Sequence, residues 1–338
     1  MTIKLSDGTG WDDYVFRHPH SFFYHLYRWG ECLEEVFGFK KYYLAAEESG
    51  NIRGILPLVL VRTMFGSRLI SVPIGVYAGP LADDPATVDK LTDEAASLAK
   101  RLGCDYLELR SMKDLGCGFL QKDLYVTFIK PLPETKEECL ERMPRKARAE
   151  VRHAIEKGLT YETGLEYLGD CYELYAANQK ALGSPVVSRR WFVSLANSFK
   201  NETDVLVVKL ADKPIAAVLS FFYRDTVLPF YGGALHKYEK YSPSNYMYLK
   251  LQEVGVERGF RYFDFGRSRK GAGPYYFKIN QGFEPKQLHY QYRLIKARSL
   301  PDISPSNKAF DIAKEIWKHL PLAVTKILGP RIYKYVIP

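Results

Sequence analysis

At 338 residues the chain is longer than one typical core needs, so two domains or one unusually large one are expected. Hydrophobic residues at 46% and charged residues at 26% exclude a disordered chain, and the longest apolar run, ILPLVLV at 55–61, is too short for a membrane span and contains a proline. A formal charge of +9 favours an anionic partner such as RNA, a diphosphate or a membrane surface, without choosing among them.

Five scattered cysteines, Cys32, Cys104, Cys117, Cys139 and Cys171, are odd in number and show no metal-ligand spacing. No metal and no disulfide framework are expected, and a reducing cytoplasm is the simplest home. The first residues, MTIKLSDGTGWDDY, lack an apolar signal region. Tyrosine is abundant, 25 against 19 phenylalanines, which suits half-wet grooves as well as strands.

In chain order, SFFYHLYRWGECLEEVFG has helical spacing and stops at Gly38. KYYLAAEESGNIRGILPLVLVR reads as a hairpin around Ser49-Gly50-Asn51. A strand near RLISVPIGVYAGP, a helix PATVDKLTDEAASLAKRLG and a strand DYLELR follow. Two helices at CYELYAANQKALG and SRRWFVSLANSFK then precede three strands across 204–236, with a turn at Asp212-Lys213. SPSNYMYLKLQEVGVERG is a helix with Ser244 as N-cap and Gly259 as stop, and RYFDFGR is the closing strand. KRLGCDYLELRSM aligns with VERGFRYFDFGRSR: a helix ending on glycine, a short strand with Tyr second and an acid fourth, then Arg. That self-similarity implies two copies of one α/β unit.

Between the halves, ERMPRKARAEVRHAIEKG reads as a basic helix over 144–158, started by Pro144 and stopped by Gly158. At about 100° per residue Arg145, Arg148 and Arg152 share one stripe, opposite Ala147, Val151, Ala154 and Ile155. Two readings stay open: a solvated face with a Lys146–Glu150 pair, or a phosphate site, since Arg forks match phosphate oxygens in pairs.

The segment GRSRKGAGPYYFK, 266–278, packs three glycines and four cations into one expected loop after the strand FRYFDF. With INQGFEPKQLHYQY after it, and PRKARAEVRHAIEKGL, LPFYGGAL, DYLELRS and KDLYVTFIK elsewhere, it resembles the Fem-type branch of the GNAT acyltransferases. The nearest likeness is to the FemAB-related proteins of exopolysaccharide and PEP-CTERM systems, and it runs from about Phe16 to Arg293. The resemblance implies mixed α/β sheets in two tandem GNAT-like domains, with boundaries set at 1–135 and 136–298 and an amphipathic tail over 299–338. It also implies transfer of an aminoacyl group from a charged tRNA to an amine of an envelope precursor.

Acyl transfer to an amine passes through a tetrahedral oxyanion, which a cation stabilises. The resemblance places the lysine of Phe277-Lys278 at the acyl-transfer centre, with Tyr275, Tyr276 and Phe277 expected to exclude water from it. Gly271 and Gly273 would let the backbone approach a substrate. Arg267, Arg269 and Lys270 are phosphate-binding candidates or plain solvated turn residues, and Tyr231 in LPFYGGAL joins the substrate side by resemblance. Asp264 either receives the amine proton or pairs with an arginine, and His289 reads as a packed histidine.

CoA-using GNAT proteins carry a basic-x-x-Gly-x-Gly/Ala signature before the helix that follows the fourth strand. Neither GGALHKYEKYSPSN nor YAGPLADDPAT, acidic at Asp83 and Asp84, fits it, so CoA is disfavoured as donor. No Walker loop, zinc spacing or Gly-x-Ser-x-Gly elbow occurs, and no cofactor is expected. The tail NKAFDIAKEIWKHLPLAVTKILGPRIYKYVIP either lies on an anionic inner membrane surface or folds back on the protein. The lead expectation is an aminoacyl- or acyltransferase acting on an envelope or exopolysaccharide precursor. Acyl-CoA-dependent N-acylation and a non-catalytic module for a glycan or RNA polyanion are the alternatives.

Overall fold

The computed structural model describes residues 1–63, 66–300 and 308–335; of the expected tail, 301–307 and 336–338 lie outside the described residues. The elements in chain order begin β1 (Thr2–Leu5), α1 (Trp11–Arg17), α2 (Tyr27–Phe37), β2 (Lys40–Lys41), β3 (Leu44–Glu48), β4 (Asn51–Leu56), β5 (Val59–Thr63) and β6 (Gly66–Ile70). There follow β7 (Leu81–Ala82), α3 (Pro85–Arg101), β8 (Tyr106–Ser111), β9 (Leu120–Lys122), β10 (Tyr125–Pro131), α4 (Lys136–Glu141), α5 (Arg145–Glu156) and β11 (Leu159–Thr163). Next are α6 (Leu168–Ala181), α7 (Arg189–Ser198), β12 (Thr203–Leu210), β13 (Lys213–Tyr223), β14 (Thr226–Ala234) and α8 (Pro243–Glu257). The chain ends with β15 (Tyr262–Asp264), β16 (Ser268–Arg269), α9 (Gly273–Asn280), β17 (Pro285–Gln287), β18 (His289–Leu294), α10 (Lys308–His319) and α11 (Leu322–Tyr333).

Two compact units result. The first is Met1–Tyr125, Gln287–Ile303 and Lys334–Pro338; the second is Val126–Lys286 with Ser304–Tyr333. The first unit holds a four-stranded sheet, β1-β3-β4-β7, and a six-stranded one, β2-β5-β6-β8-β18-β9. The segment read as one hairpin is therefore three strands: β3 and β4 pair, but Pro57 cannot donate to the ladder, and β5 continues into the other sheet. In the second unit the path is β11-β12-β13-β14-β15-β10-β16, with β17 pairing β10.

Each unit contains a helix between two parallel strands. In the first, β6-α3-β8 pairs Arg68 with Tyr106 through Ile70 with Glu108. In the second, β14-α8-β15 pairs Thr226 with Tyr262 and Val227 with Phe263. Both helices stop before a glycine in the left-handed region, Gly103 at φ 69 and Gly259 at φ 81, where a side chain would be strained. The aligned segments noted in the sequence are these two helix-to-strand corners.

The second strand of each parallel pair has an antiparallel neighbour from elsewhere in the chain: β18 against β8 in the first unit, β10 against β15 in the second. Residues 289–294 thus belong to the first unit, and 126–131 to the second, so the structure divides the chain at other points than 135 and 298.

Local sequence explains the element ends. Asp84 caps α3 by accepting from Thr87 N at 2.9 Å, with Pro85 in the first turn. Ala211 and Asp212, at φ 48 and 61, make the tight β12–β13 turn, one residue earlier than expected. Helix α8 starts at Pro243 with Ser242 as its cap, not Ser244, because proline suits the first helical position.

Candidate active site

Gly271, at φ 74, turns the chain after β16, and Pro274 then opens α9. The glycine-rich segment expected as a loop holds the short strand β16 and a turn up to Ala272, and from Gly273 it is helical. That periodicity redistributes the aromatic side chains. Tyr275, three residues before Lys278, shares its face and packs edge-on against Phe128 at 5.7 Å. Tyr276 points away and is 56% exposed, so it does not shield the lysine as expected. Phe277 is half-buried, with its ring 5.8 Å from Tyr248 and 6.2 Å from Phe265.

Lys278 itself is buried, at 7% exposure. Its Nζ donates to the carbonyl oxygens of Gly266 at 2.8 Å and Arg267 at 3.2 Å. The ammonium lies 5.4 Å from the Phe128 ring centre and 5.2 Å from that of Phe265. Burial lowers its pKa from 10.5 to about 7; the nearby Asp264 carboxylate opposes the fall and Arg267 adds to it. The rings that exclude water from this group come from β10 and from the residue after β15, because three aromatics preceding a lysine on a helix cannot all face it.

Asp264 is buried and accepts from Thr127 Oγ1 at 3.0 Å and from Gly266 N at 2.9 Å. The Gly266 residue is therefore held at both ends, its N–H by Asp264 and its C=O by Lys278. Arg267 and Arg269 are half-buried and Lys270 is exposed. Gly273 has no heavy atom within 4 Å of where a Cβ would stand, so space does not require a glycine there.

Two neighbours escaped the sequence reading. Gln281, 1% exposed, has neither amide atom hydrogen-bonded, and the buried Ser268 Oγ has no partner among the described residues. Gln281 follows Lys278 by three residues and shares its side of the α9 turn, a signal legible only once the segment is known to be helical. A buried amide with both ends unmet carries a desolvation cost that a polar guest would remove.

Beside this site β14 and β15 part. Their parallel pairing covers only Thr226–Val227, while β14 runs on to Ala234 paired with β13 alone. Tyr231, on that extension, belongs to a separate aromatic cluster: it accepts from Trp191 Nε1 at 3.0 Å and stacks on Phe192 at 5.0 Å. Burial raises its phenol well above the ordinary value.

Helix α5 buries Ala147, Val151 and Ala154 and turns Arg145 and Arg152 outward. Ile155, placed with the apolar stripe by its spacing, is 47% exposed. Arg148 is half-buried and donates to Glu141 O at 3.1 Å. The three arginines line an open hollow of about 410 Å³ with His153 and Glu156. Arg145 and Arg152 form no ion pair with the described residues, and Glu150 is held by the Ser242 hydroxyl and not by Lys146. In the first unit a cavity of about 440 Å³, bounded by Phe22, His25, Tyr77 and a rim of aspartates, is a concavity the sequence did not announce.

Residues 142–278, ending on Lys278, match the acetyltransferase (GNAT) domain family. The fold is that of tandem GNAT proteins. The matched stretch is an acyltransferase domain. FemX is similar over 86% of this chain and 97% of its own, at 15% identity and a TM-score of 0.67. The C-terminal domain of a putative lysylphosphatidylglycerol synthetase from Agrobacterium fabrum is similar over 84% and 91%, at 14% identity and a TM-score of 0.55. A tandem GNAT protein of clavulanic acid biosynthesis is similar over 78% and 85%, at 12% identity and a TM-score of 0.50. None of the curated proteins compared with the sequence matches it.

Proposed function

We propose that this GNAT-fold acyltransferase forms an amide on an amine of a cell-envelope or exopolysaccharide precursor, with an aminoacyl-tRNA as donor. The observation that carries the reading is the buried Lys278 ammonium, held on two carbonyls between two ring faces beside the parting of β14 and β15. An ammonium has three protons; with two given to Gly266 and Arg267, one is left to point at a substrate oxygen.

The acceptor amine attacks the ester carbonyl, the C–N bond forms, and the tetrahedral oxyanion takes the third Lys278 proton as a hydrogen bond. Collapse breaks the C–O bond and returns the terminal hydroxyl of the tRNA, the proton lost by the amine balancing the leaving oxygen. A low-dielectric setting strengthens such a donor, which is worth about 3–4 kcal/mol in comparable oxyanion sites. Asp264 acts through Gly266, fixing the peptide that holds the lysine. Arg267, Arg269 and Lys270, and separately Arg145, Arg148 and Arg152, supply cations for the phosphates of donor and acceptor.

Both helix starts that would cradle a CoA pyrophosphate carry a carboxylate instead. Asp84 is the N-cap of α3, and Glu150 of α5 accepts from the hydroxyl of Ser242, the N-cap of α8. Like charge there supports the tRNA donor. The competing acyl-CoA reading draws on the acetyltransferase name of the matched family. A likeness to the FemAB-related exopolysaccharide branch suggests a lipid-linked acceptor, which brings the enzyme to the inner membrane surface.

Incubating the protein with charged tRNA and, separately, acetyl-CoA, each with precursor extract, tests the donor by which one is consumed. Lys278→Met is expected to lose about 100-fold or more of that turnover. Consumption of acetyl-CoA alone would replace the donor, and undiminished turnover in Lys278→Met would remove the proposed centre. A polyanion-binding module without activity would consume neither.

A further inference from the structure

The tail helices offer a face the transferase chemistry does not use. Of the fifteen large apolar side chains exposed among the described residues, five fall in one short stretch: Ile312, Ile316, Ile327, Leu328 and Ile332. The spacing of Ile312 and Ile316 puts them on one stripe of α10; Ile327, Leu328 and Ile332 mark the outer side of α11.

These side chains are not waiting to fold inward, because the inner sides are already packed. Trp317, Thr325 and Gly329 are buried. A Cβ on Gly329 would stand 2.7 Å from Val186 O, so α11 rests directly on backbone there. Lys180 Nζ donates to Lys318 O at 2.8 Å, and Lys326 pairs with Glu173 at 2.6 Å, fixing both helices to α6. The tail is folded back on the protein, one of its two sequence readings, and presents an aliphatic side outward.

Charge decides the occupant. Residues 308–333 hold five cations, Lys308, Lys314, Lys318, Lys326 and Arg331, against the acids Asp311 and Glu315. Glu315 is paired with Lys318 at 2.6 Å, whereas Arg331 stands in the aliphatic stripe of α11 without an ion pair among the described residues. The excess of five cations over two acids, with Arg331 beside the aliphatic anchors of α11, matches a negatively charged bilayer surface. No helix among the described residues is long and apolar enough to cross a membrane, so the contact is with the surface.

We propose that the outer faces of α10 and α11 dock the second unit on an anionic lipid surface. This takes from the proposed function only the membrane-side acceptor; the docking itself is read from the tail. The test is flotation of the full chain with phosphatidylcholine vesicles, with and without phosphatidylglycerol, at low and high salt and without any acceptor or donor. Partition onto the anionic vesicles, reduced by salt, is expected. Combined Ile312→Ser, Ile316→Ser and Ile327→Ser substitutions should lower it about a hundredfold, with helix content and melting temperature unchanged. Arg331→Glu alone, which removes no packing, should lower binding several-fold on anionic vesicles and leave neutral ones unaffected. Absent binding of the wild type, or equal binding of the serine variant, overturns the proposal. So does a lipid-free dimer that the same substitutions dissolve, since the face would then join two copies. Lys278→Met should bind vesicles like the wild type, so loss of the transferase reading and loss of this one are separately visible.

Discussion

Lys278 gives up most of its hydration for two carbonyls and two ring faces, and the fall of its pKa to about 7 shows that the exchange is unfavourable to its charge. The folded value lies below the unfolded 10.5, so between pH 7 and 10.5 the unfolded chain binds a proton that the folded chain does not. Stability from this group therefore rises with pH across that window, and the burial penalty is complete below pH 7. Against Lys278→Met, the wild type should gain up to ~1.4 kcal/mol per pH unit between 7 and 10.5, measured by urea unfolding. A flat difference would mean that the side chain is solvated. Activity should run the other way: as an oxyanion donor the lysine must be charged, so turnover falls as pH rises through about 7. Lys278→Arg, charged at every accessible pH, should lose that limb while keeping a reduced plateau. A rate that climbs through pH 7 would make the neutral amine a base instead. The family resemblance singled this lysine out, but its ring partners Phe128 and Phe265 were not legible, because they arrive from β10 and the end of β15.

At the scale of elements, strand β14 shows what local pattern can and cannot deliver. Its order among the strands was readable from alternation, but its parting from β15 after Val227 has no signature in the local pattern. Gly233 on this strand backs onto α6. A Cβ there would lie 2.7 Å from Leu174 O and 2.9 Å from Tyr175 Cα, both backbone atoms with no room to yield. Gly233→Ala should therefore cost about 1–3 kcal/mol of stability, visible as a lowered melting temperature. Wild-type melting would show that α6 can move off the strand. Helix α9 teaches the complementary lesson. Glycine and charge in 266–273 made the whole stretch look like a loop, and that error placed Tyr276 beside the lysine. Once Pro274 is taken as a first-turn residue of a helix, Tyr275 and Gln281 fall on the lysine's side and Tyr276 faces solvent.

Across the whole molecule, the two-unit plan was visible as repeated helix-to-strand corners, while the contiguous boundaries at 135 and 298 put β10 with the first half and β18 with the second, because such boundaries cannot show which sheet a strand joins. Net charge was equally visible, but not where it acts. The +9 is the excess of 48 basic over 39 acidic residues, and many of the individual charges have an opposite partner close by. Arg101, for example, is paired with Glu94 at 2.7 Å. Arg145 and Arg152 differ: they are exposed on one stripe, line a common hollow and carry no ion pair with the described residues. Phosphates bound there displace condensed cations, so each contact adds roughly 0.7–0.9 to the slope of log K against log salt. Replacing both arginines by alanine should lower that slope for tRNA by about 1.5 and weaken binding most at low salt. Melting temperature should hold, since neither side chain is packed. Arg101→Ala, removing a paired charge, should leave the slope alone. An unchanged slope in the double variant would return the α5 stripe to a solvated face and leave Arg267, Arg269 and Lys270 as the cations that meet the donor.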